Sequence, residues 1–319
     1  MAAIYLSEED VKSVLDINKT VDLVEESFKT YSLGESFNME RRRMRIRKGA
    51  LHMLPAAVPY KGVLGYKAYT SFRTGLIFKV HLYCAETGTP LAIVEASELG
   101  RLRTGSASGV ATKHMANKDS KIGSIFGAGY QGEAHIKAVA AANKFEKIYV
   151  VDLKEENAKK FAEKVSKEIG VEMVPETDAE KVVKESDIIT TATWSVKPLF
   201  KHEWIEKKGV HINATGSNAL IRAEVPEKTV EKADKLAVDA KDVAEVECGD
   251  ILPSLEKGRL HWNEILELGD VVSGIRSGRD SEDELTVFES QGMGLQDVMV
   301  AEYVYRIALE NKLGKELPF

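Results

Sequence analysis

Residues 121–132 read KIGSIFGAGYQG. An apolar run with strand character, KIGSIF, passes into a glycine turn. Gly127, Gly129 and Gly132 form G-x-G-x-x-G ahead of EAHIKAVAAAN, which reads as a helix. The string alone is weak, but a strand before it and a helix after it are the context a dinucleotide-binding turn requires. The first glycine makes the tight turn, the second lets backbone approach a pyrophosphate, and the third lets helix and strand pack closely. With Ala128, Tyr130 and Gln131 filling the turn, the helix N-terminus offers N–H groups and positive potential to phosphate. Twenty positions beyond Gly132, Asp152 ends the next strand, KIYVVD. An acid there hydrogen-bonds the ribose 2′-hydroxyl and repels a 2′-phosphate, so NAD is the expected cofactor. The bland alternative is a chance glycine turn in a flavodoxin-like sheet, and strand, helix, second strand and acid together count against it.

Downstream the texture alternates. The charged helix EENAKKFAEKVSKEIG ends at Gly170, and VEMVPE, DIITTAT, VHINATG and KLAVDA read as further strands. Alternating strand and helix predicts a mostly parallel sheet covered by helices. In such a sheet the ligand lies at the carboxyl ends of the strands. TTATWS (190–195) and NATGSN (213–218) both fall there, which makes Thr191, Thr193, Thr215 and Gly216 candidate cofactor contacts. The last segment, LTVFESQGMGLQDVMVAEYVYRIALENKLG, reads as a turn and a long helix.

Upstream the pattern differs. Ser7 opens SEEDVKSVL as an N-cap with acids in the first turn. Thr20 is the expected start of a second helix, in which Val21, Val24, Phe28 and Tyr31 repeat at helical spacing before Gly34. GVLGYKAYTSF, LIFKVHLYCA and TPLAIVEAS read as strands, and LGRLRTGSASGVATKHMA as a helix. A chain of 319 residues suggests about two domains.

The first region carries a dense run, ERRRMRIRKGALHMLP (40–55). As a strand it places Arg41, Arg43, Arg45 and Arg47 on one face, and Arg42, Met44 and Ile46 on the other. A hairpin turn at Lys48-Gly49 would set Ile46 against Leu51, Met44 against Met53, and Arg45 against His52. The apolar row is expected to face the core. Arginines cannot be buried unpaired, so their row must meet solvent, acids or a ligand carboxylate, which the guanidinium fork suits. Lys67 in LGYKAY and Arg103 in GRLRTG add two cations near element ends. A net charge of −6 argues against general nucleic-acid binding. Cys84 and Cys248 have neither disulfide-framework nor metal-ligand spacing, so no metal is expected. MAAIYLSEEDVKSVL lacks a basic n-region and a long apolar run, and no stretch has the length to span a membrane. The expected compartment is the cytoplasm.

These residues resemble the ornithine cyclodeaminase and mu-crystallin family, which includes archaeal-type alanine dehydrogenase and ketimine or pyrroline-2-carboxylate reductases. The resemblance rests on HMLPA (52–56), GYK (65–67), GTPLAIVEASELGRLRTGSASG (88–109), GAGYQG (127–132), INATGSN (212–218) and FESQGMGLQDVMVA (288–301). It implies a homodimer of two-domain α/β chains. A Rossmann NAD-binding domain (114–289) would be inserted into an α+β substrate-binding and dimerisation domain (1–113, completed by 290–319). It places substrate ligands on Lys67, Arg103 and Arg41, with Arg43 and Arg45 as alternatives to Arg41, and His52 at a variable substrate-facing position. Thr104, Gln131, Asp152, Thr193, Ser290, Gly292 and Arg222 would contact the cofactor. Cyclodeaminases carry an aspartate where Asn218 stands, serving as an acid/base group, and an acid occurs there in alanine dehydrogenase too. Asparagine cannot exchange a proton at neutral pH, so Asn218 fits reductases whose substrate arrives as a preformed imine.

The expected function is therefore NAD(H)-dependent reduction of a C=N bond beside a carboxylate on a small amino or imino acid. Solvent, His52 or Lys67 would supply the proton. The rivals are ornithine cyclodeaminase, with NAD recycled each turnover, and a non-catalytic nucleotide- or ligand-binding protein.

Overall fold

The structure is a computed structural model and describes residues 2–216 and 218–318. Ser217, inside the INATGSN motif, lies outside the described residues. Two compact units form: residues up to Arg103 together with those from Met293 onward, and Thr104–Gly292.

The first unit begins with β1 (Ile4–Leu6), α1 (Glu8–Val14) and α2 (Ile17–Ser32). A capping box starts α1: Ser7 Oγ accepts from the Asp10 N–H, and Asp10 accepts from the Ser7 N–H at 2.9 Å. Helix α2 does not start at Thr20. Its N-cap is Asp16, whose side chain accepts from the Lys19 N–H at 2.9 Å, and aspartate is the stronger cap. The strands β2 (Phe37–Asn38), β3 (Arg42–Ile46), β4 (Gly49–Val58), β5 (Val63–Phe72), β6 (Gly75–Cys84) and β7 (Pro90–Glu95) follow, and then α3 (Ser97–Met115). β4, β5, β6 and β7 pair antiparallel in sequence order, and β1 adds parallel to β7.

The β3–β4 hairpin departs from expectation in two ways. Ile46 pairs with Gly49, so the turn is Arg47-Lys48, and Arg43 rather than Arg45 faces His52. A two-residue slip leaves the strand residues Arg42 to Ile46 on their expected faces, but Arg47 falls in the turn and not on the arginine face. The apolar row, however, does not enter the core: Met44 is 68% and Ile46 61% exposed. The other face, carrying Leu54, Val80 and Val94, is the buried one.

The second unit contains β8 (Ile122–Phe126), α4 (Tyr130–Ala142), β9 (Lys147–Val151), α5 (Glu155–Ile169), β10 (Glu172–Pro175), α6 (Ala179–Glu185), β11 (Ile188–Thr191) and β12 (His211–Ala214). It continues with α7 (Glu227–Glu231), β13 (Lys235–Val238), α8 (Lys241–Glu247), α9 (Leu252–Glu256), β14 (Leu266–Glu267), α10 (Leu268–Val272) and β15 (Thr286–Glu289). Every pair in this sheet is parallel, in the order β10-β9-β8-β11-β12-β15-β13-β14. The first five positions are the doubly wound dinucleotide-binding order, and the last strand in sequence takes the sixth. Helix α5 buries Ala158, Phe161, Ala162 and Val165 along one stripe. Burying a large apolar side chain of that kind contributes about 1.5–3 kcal/mol.

The chain then returns to the first unit through α11 (Gly294–Asn311) and β16 (Lys315–Glu316), the latter pairing antiparallel with β1. The unit boundaries fall after Arg103 and Gly292, not at 113 and 289. The cause is steric. Gly105 and Gly109 lie so close to Ala134 and Ala138 of α4 that an added Cβ would strike α4 backbone, so this half of α3 packs with the second unit. Among the described residues no helix is long and apolar enough to cross a membrane.

Candidate active site

In the second unit the glycine turn is built as its spacing requires. Gly127 adopts φ 109° and its N–H donates to the Val151 carbonyl at 2.8 Å. A side chain there would meet the Ala192 carbonyl at 2.5 Å, and one on Gly132 would strike the Gly127 carbonyl. Gly129, in extended backbone, is the N-cap of α4 and provides no side-chain cap. A Cβ built on it meets no atom within 4 Å, so backbone amides at this helix start are the groups presented to a pyrophosphate. Tyr130 and Gln131 open the helix, both exposed.

Asp152 accepts from the Ala128 N–H at 3.0 Å, the Lys154 N–H at 3.0 Å and Asn157 Nδ2 at 3.2 Å. These bonds tie the acid to the glycine turn itself. A carboxylate has about four acceptor positions, so the same group can also accept from a ribose hydroxyl. The residues present fit a dinucleotide.

The loops after β11 and β12 are joined by a residue that motif reading missed. Glu224, fully buried, accepts from Thr191 Oγ1 (2.8 Å), the Thr193 N–H (2.6 Å), Thr193 Oγ1 (2.5 Å) and the Gly216 N–H (2.6 Å). Thr215 Oγ1 donates to the Thr191 carbonyl at 2.7 Å. The expected threonines are thus brought together, but their hydroxyls serve the protein's own loops. Burial pushes the Glu224 pKa up, against the four hydrogen bonds that hold it down. Asp250 in turn accepts from the Glu224 and Val225 N–H groups at 2.8 and 2.9 Å, and burial carries its pKa to about 7. Asp239 accepts from Ser290 Oγ at 3.0 Å and from the Gln291 and Gly292 N–H groups at 2.6 and 2.7 Å. Glu289 accepts from Cys248 Sγ at 3.7 Å, and burial with the charges of Asp250 and Glu224 drives its pKa well up. Arg222 stacks on exposed Trp194, 4.2 Å from the ring centroid. Thr104, first residue of the unit, and Asn218 are both half-buried.

The Glu224 contacts carry an expectation. Glu224→Ala leaves four donors without their acceptor, and each hydrogen bond to a charged group is worth about 1.5–3 kcal/mol. NADH titration by fluorescence should show affinity weakened about tenfold or more. An unchanged affinity would mean that these loops do not touch the cofactor.

In the first unit three cations of the expected set are buried: Arg41, Lys67 and Arg103. Lys67 Nζ lies 2.9 Å from Asp297 Oδ1, and Arg103 Nε donates to the same oxygen at 2.9 Å. Arg103 Nη1 donates to Gln296 Oε1 at 3.0 Å. The meeting has a backbone cause. Lys67 is opposite Leu54 in the β4–β5 ladder, and Gly294 rests on Leu54 so closely that a Cβ would lie 2.6 Å from its carbonyl oxygen. One turn into α11, Asp297 therefore reaches Lys67. The stretch FESQGMGLQDVMVA (288–301) contains Gln296 and Asp297, two residues that motif reading misses. The signal was a charge within the apolar helix GLQDVMVA.

Arg41 is the member of the run that turns inward, at 7% exposure, while Arg43 is half-buried and Arg45 exposed. Between the pairs Asn38–Ala56 and Arg42–Met53, three residues oppose two. Burial, with the charges of Arg103 and Arg41, lowers the Lys67 pKa to about 7 against the pull of Asp297. His52 stacks on Tyr69 at 4.1 Å, and Ser71 Oγ lies 2.9 Å from its Nε2. Burial and the charges of Arg43, Arg41 and Arg45 bring its pKa to about 4. At neutral pH His52 is uncharged and a poor acid, whereas Lys67 titrates where a general acid works best.

A family model described as the ornithine cyclodeaminase/mu-crystallin family matches residues 1–312. A Delta(1)-pyrroline-2-carboxylate reductase of Bacillus thuringiensis subsp. konkukian is 37% identical over 235 residues, 73% of this chain and 72% of the relative. The solved structure of Thermococcus litoralis Delta(1)-pyrroline-2-carboxylate reductase in complex with NADH and L-proline matches with a TM-score of 0.93 at 32% identity, covering 98% of this chain and 100% of that one. An archaeal alanine dehydrogenase dimer with bound NAD matches with a TM-score of 0.93 at 30% identity, covering 100% of both chains.

Proposed function

The chain belongs to the ornithine cyclodeaminase/mu-crystallin family, and from that premise we propose that it is an NAD(H)-dependent reductase of a small imino acid. The observation that carries this reading is the buried convergence of Lys67 and Arg103 on Asp297, with Arg41 buried too. Cations held out of water in this way suit one carboxylate. The imines reduced by the relatives, and their amino-acid products, carry it next to the reacting carbon.

Bound NADH supplies the hydride that goes to the imine carbon. Arg41 and Arg103 hold the carboxylate, Arg103 with the N–H groups that Asp297 and Gln296 do not use. Lys67 gives a proton to the imine nitrogen as the C=N pair opens, and is reprotonated from solvent. The sum is imine, NADH and one proton to amino acid and NAD+. Asn218 fits this reading, because a preformed imine needs no carboxylate at that position. The exposed apolar side chains Met44, Ile46, Leu51, Met53 and Ile77 belong, in this reading, to a homodimer contact, since patches of this kind mark protein interfaces.

The test is NADH oxidation by purified protein given a cyclic imino acid, or a 2-oxo acid with ammonia. Asp152→Ala should lower the preference for NADH over NADPH by about tenfold, one hydrogen bond to a charged group. An unchanged ratio would remove Asp152 from cofactor selection.

A further inference from the structure

A second hollow lies in the nucleotide-binding unit, at the amino end of β8. That strand runs from Ile122 to Phe126 and into the glycine turn, and α4 runs back from the turn to Ala142. The residues before β8 and those at the close of α4 therefore sit together, a strand's length from the cofactor turn. With the last turn of α3 they line a hollow of about 490 Å³. Small-molecule sites span roughly 300–1,000 Å³.

The lining is basic, in a chain of net charge −6. Lys113, Lys118, Lys121 and Lys144 stand there with a single acid, Asp119. Other lysines of this unit are matched: every one on α5 and α6 has a glutamate partner. The side chains of Lys118, Lys121 and Lys144 have no acidic partner among the described residues. A helix C-terminus favours a cation within its last turn. That accounts for Lys113, in the last turn of α3, and for Lys144, just past α4. Lys118 and Lys121 stand outside both helices. Their backbone is nevertheless fixed. Asn143 Nδ2 donates to the Ser120 carbonyl at 2.8 Å, the Glu146 N–H donates to the Lys121 carbonyl at 2.9 Å, and Asp187 accepts from the Lys121 N–H at 2.7 Å. Asp187 is paired through its other oxygen with Lys207. A cleft lined by one sign of charge focuses potential and concentrates the opposite ion.

We propose that this hollow is a second ligand site, which binds the phosphate chain of a nucleoside di- or triphosphate. Lysines act on phosphate as point charges, and several unmatched ones call for a ligand with several negative charges. A monocarboxylate would answer one lysine and leave the others uncompensated. Ala116, Ala140, Ala141 and Ala142 also line the hollow and give an attached ring an apolar surface to cover. The site is separate from the glycine turn and independent of the imine-reductase reading.

The experiment titrates ATP by calorimetry into protein saturated with NADH, so that the dinucleotide turn is already filled. One ATP per chain is expected to bind, with an affinity that falls as salt rises. The double variant Lys118→Ala/Lys121→Ala should weaken ATP about tenfold or more, the loss of contacts to a charged group. Its NADH affinity and imine reduction should be unchanged, since neither lysine belongs to that machinery, and they show that the variant is folded. Inorganic tripolyphosphate separates the two parts of the ligand: it should depend on the same lysines and bind about tenfold more weakly than ATP, because it has no ring to bury. No ATP binding once NADH saturates the protein, or equal ATP affinity in the double variant, would overturn the proposal. Tripolyphosphate bound as tightly as ATP would overturn the assignment of a nucleoside.

Discussion

Lys67→Ala is expected to lower kcat/KM for imine reduction by about a thousandfold while NADH affinity stays nearly unchanged. The size follows from general acid catalysis, worth about 10²–10⁴-fold when the donor is positioned and matched in pKa. Lys67 is both: it is held by Asp297 at 2.9 Å, and its pKa is brought down to about 7. NADH affinity is spared because the cofactor motif belongs to the other unit. The pH profile supplies the sign. An acid must be protonated in the free enzyme, so kcat/KM for reduction should be flat below about pH 7 and fall tenfold per unit above it. Because Asp297 raises the Lys67 pKa, Asp297→Asn should move that limb to lower pH. A Lys67→Ala enzyme with full activity, or a wild-type profile with no break near 7, would contradict the role given to Lys67.

Asp297→Ala is expected to cost about 3–5 kcal/mol of stability, the usual result of removing one partner from a buried ion pair. Asp297 is fully buried and serves two cations through one oxygen. Without it, Lys67 and Arg103 remain buried side by side. The loss should itself depend on pH. Removing the acid lowers the Lys67 pKa in the folded state further, while the unfolded lysine keeps a value near 10.4. Between those values the unfolded chain binds more protons and stability rises with pH, but wild type shares that slope above about pH 7, where its folded Lys67 is already neutral. The deficit grows only below about pH 7, where wild type charges a paired lysine and the variant must charge an unpaired one or leave it neutral. Thermal unfolding of the variant should therefore show its largest deficit at pH 6 and a smaller one at pH 9. A deficit independent of pH would mean that Lys67 is not the charge left behind.

How legible all this was depended on distance along the chain. The dinucleotide turn and Asp152 were readable because strand, turn, helix and acid are consecutive, and the glycine spacing is fixed by local sterics. Alternation correctly divided the arginine run into two faces, since the period of a strand is local. It could not say which face is buried, because that is decided by α11, more than two hundred residues away. Met44 and Ile46 thus proved exposed. Nor could it show that Arg41 alone of its row is buried while Arg45 stays exposed. The buried acids Glu224, Asp239, Asp250 and Glu289 were invisible for the same reason: β15 enters the sheet between β12 and β13. Asp239, at the end of KLAVDA, had the only local signal of the four, an acid closing a parallel strand as Asp152 does.

The most direct measurement is the balance of NADH against amino acid formed. Purified protein is given NADH with an imino acid, or a 2-oxo acid with ammonia, and separately given ornithine with NAD. Net reduction predicts one NADH consumed for each amino acid produced, and no conversion of ornithine to proline and ammonia. Proline and ammonia from ornithine with no net change in NADH would contradict it, and would show that asparagine at 218 is compatible with cyclodeaminase chemistry.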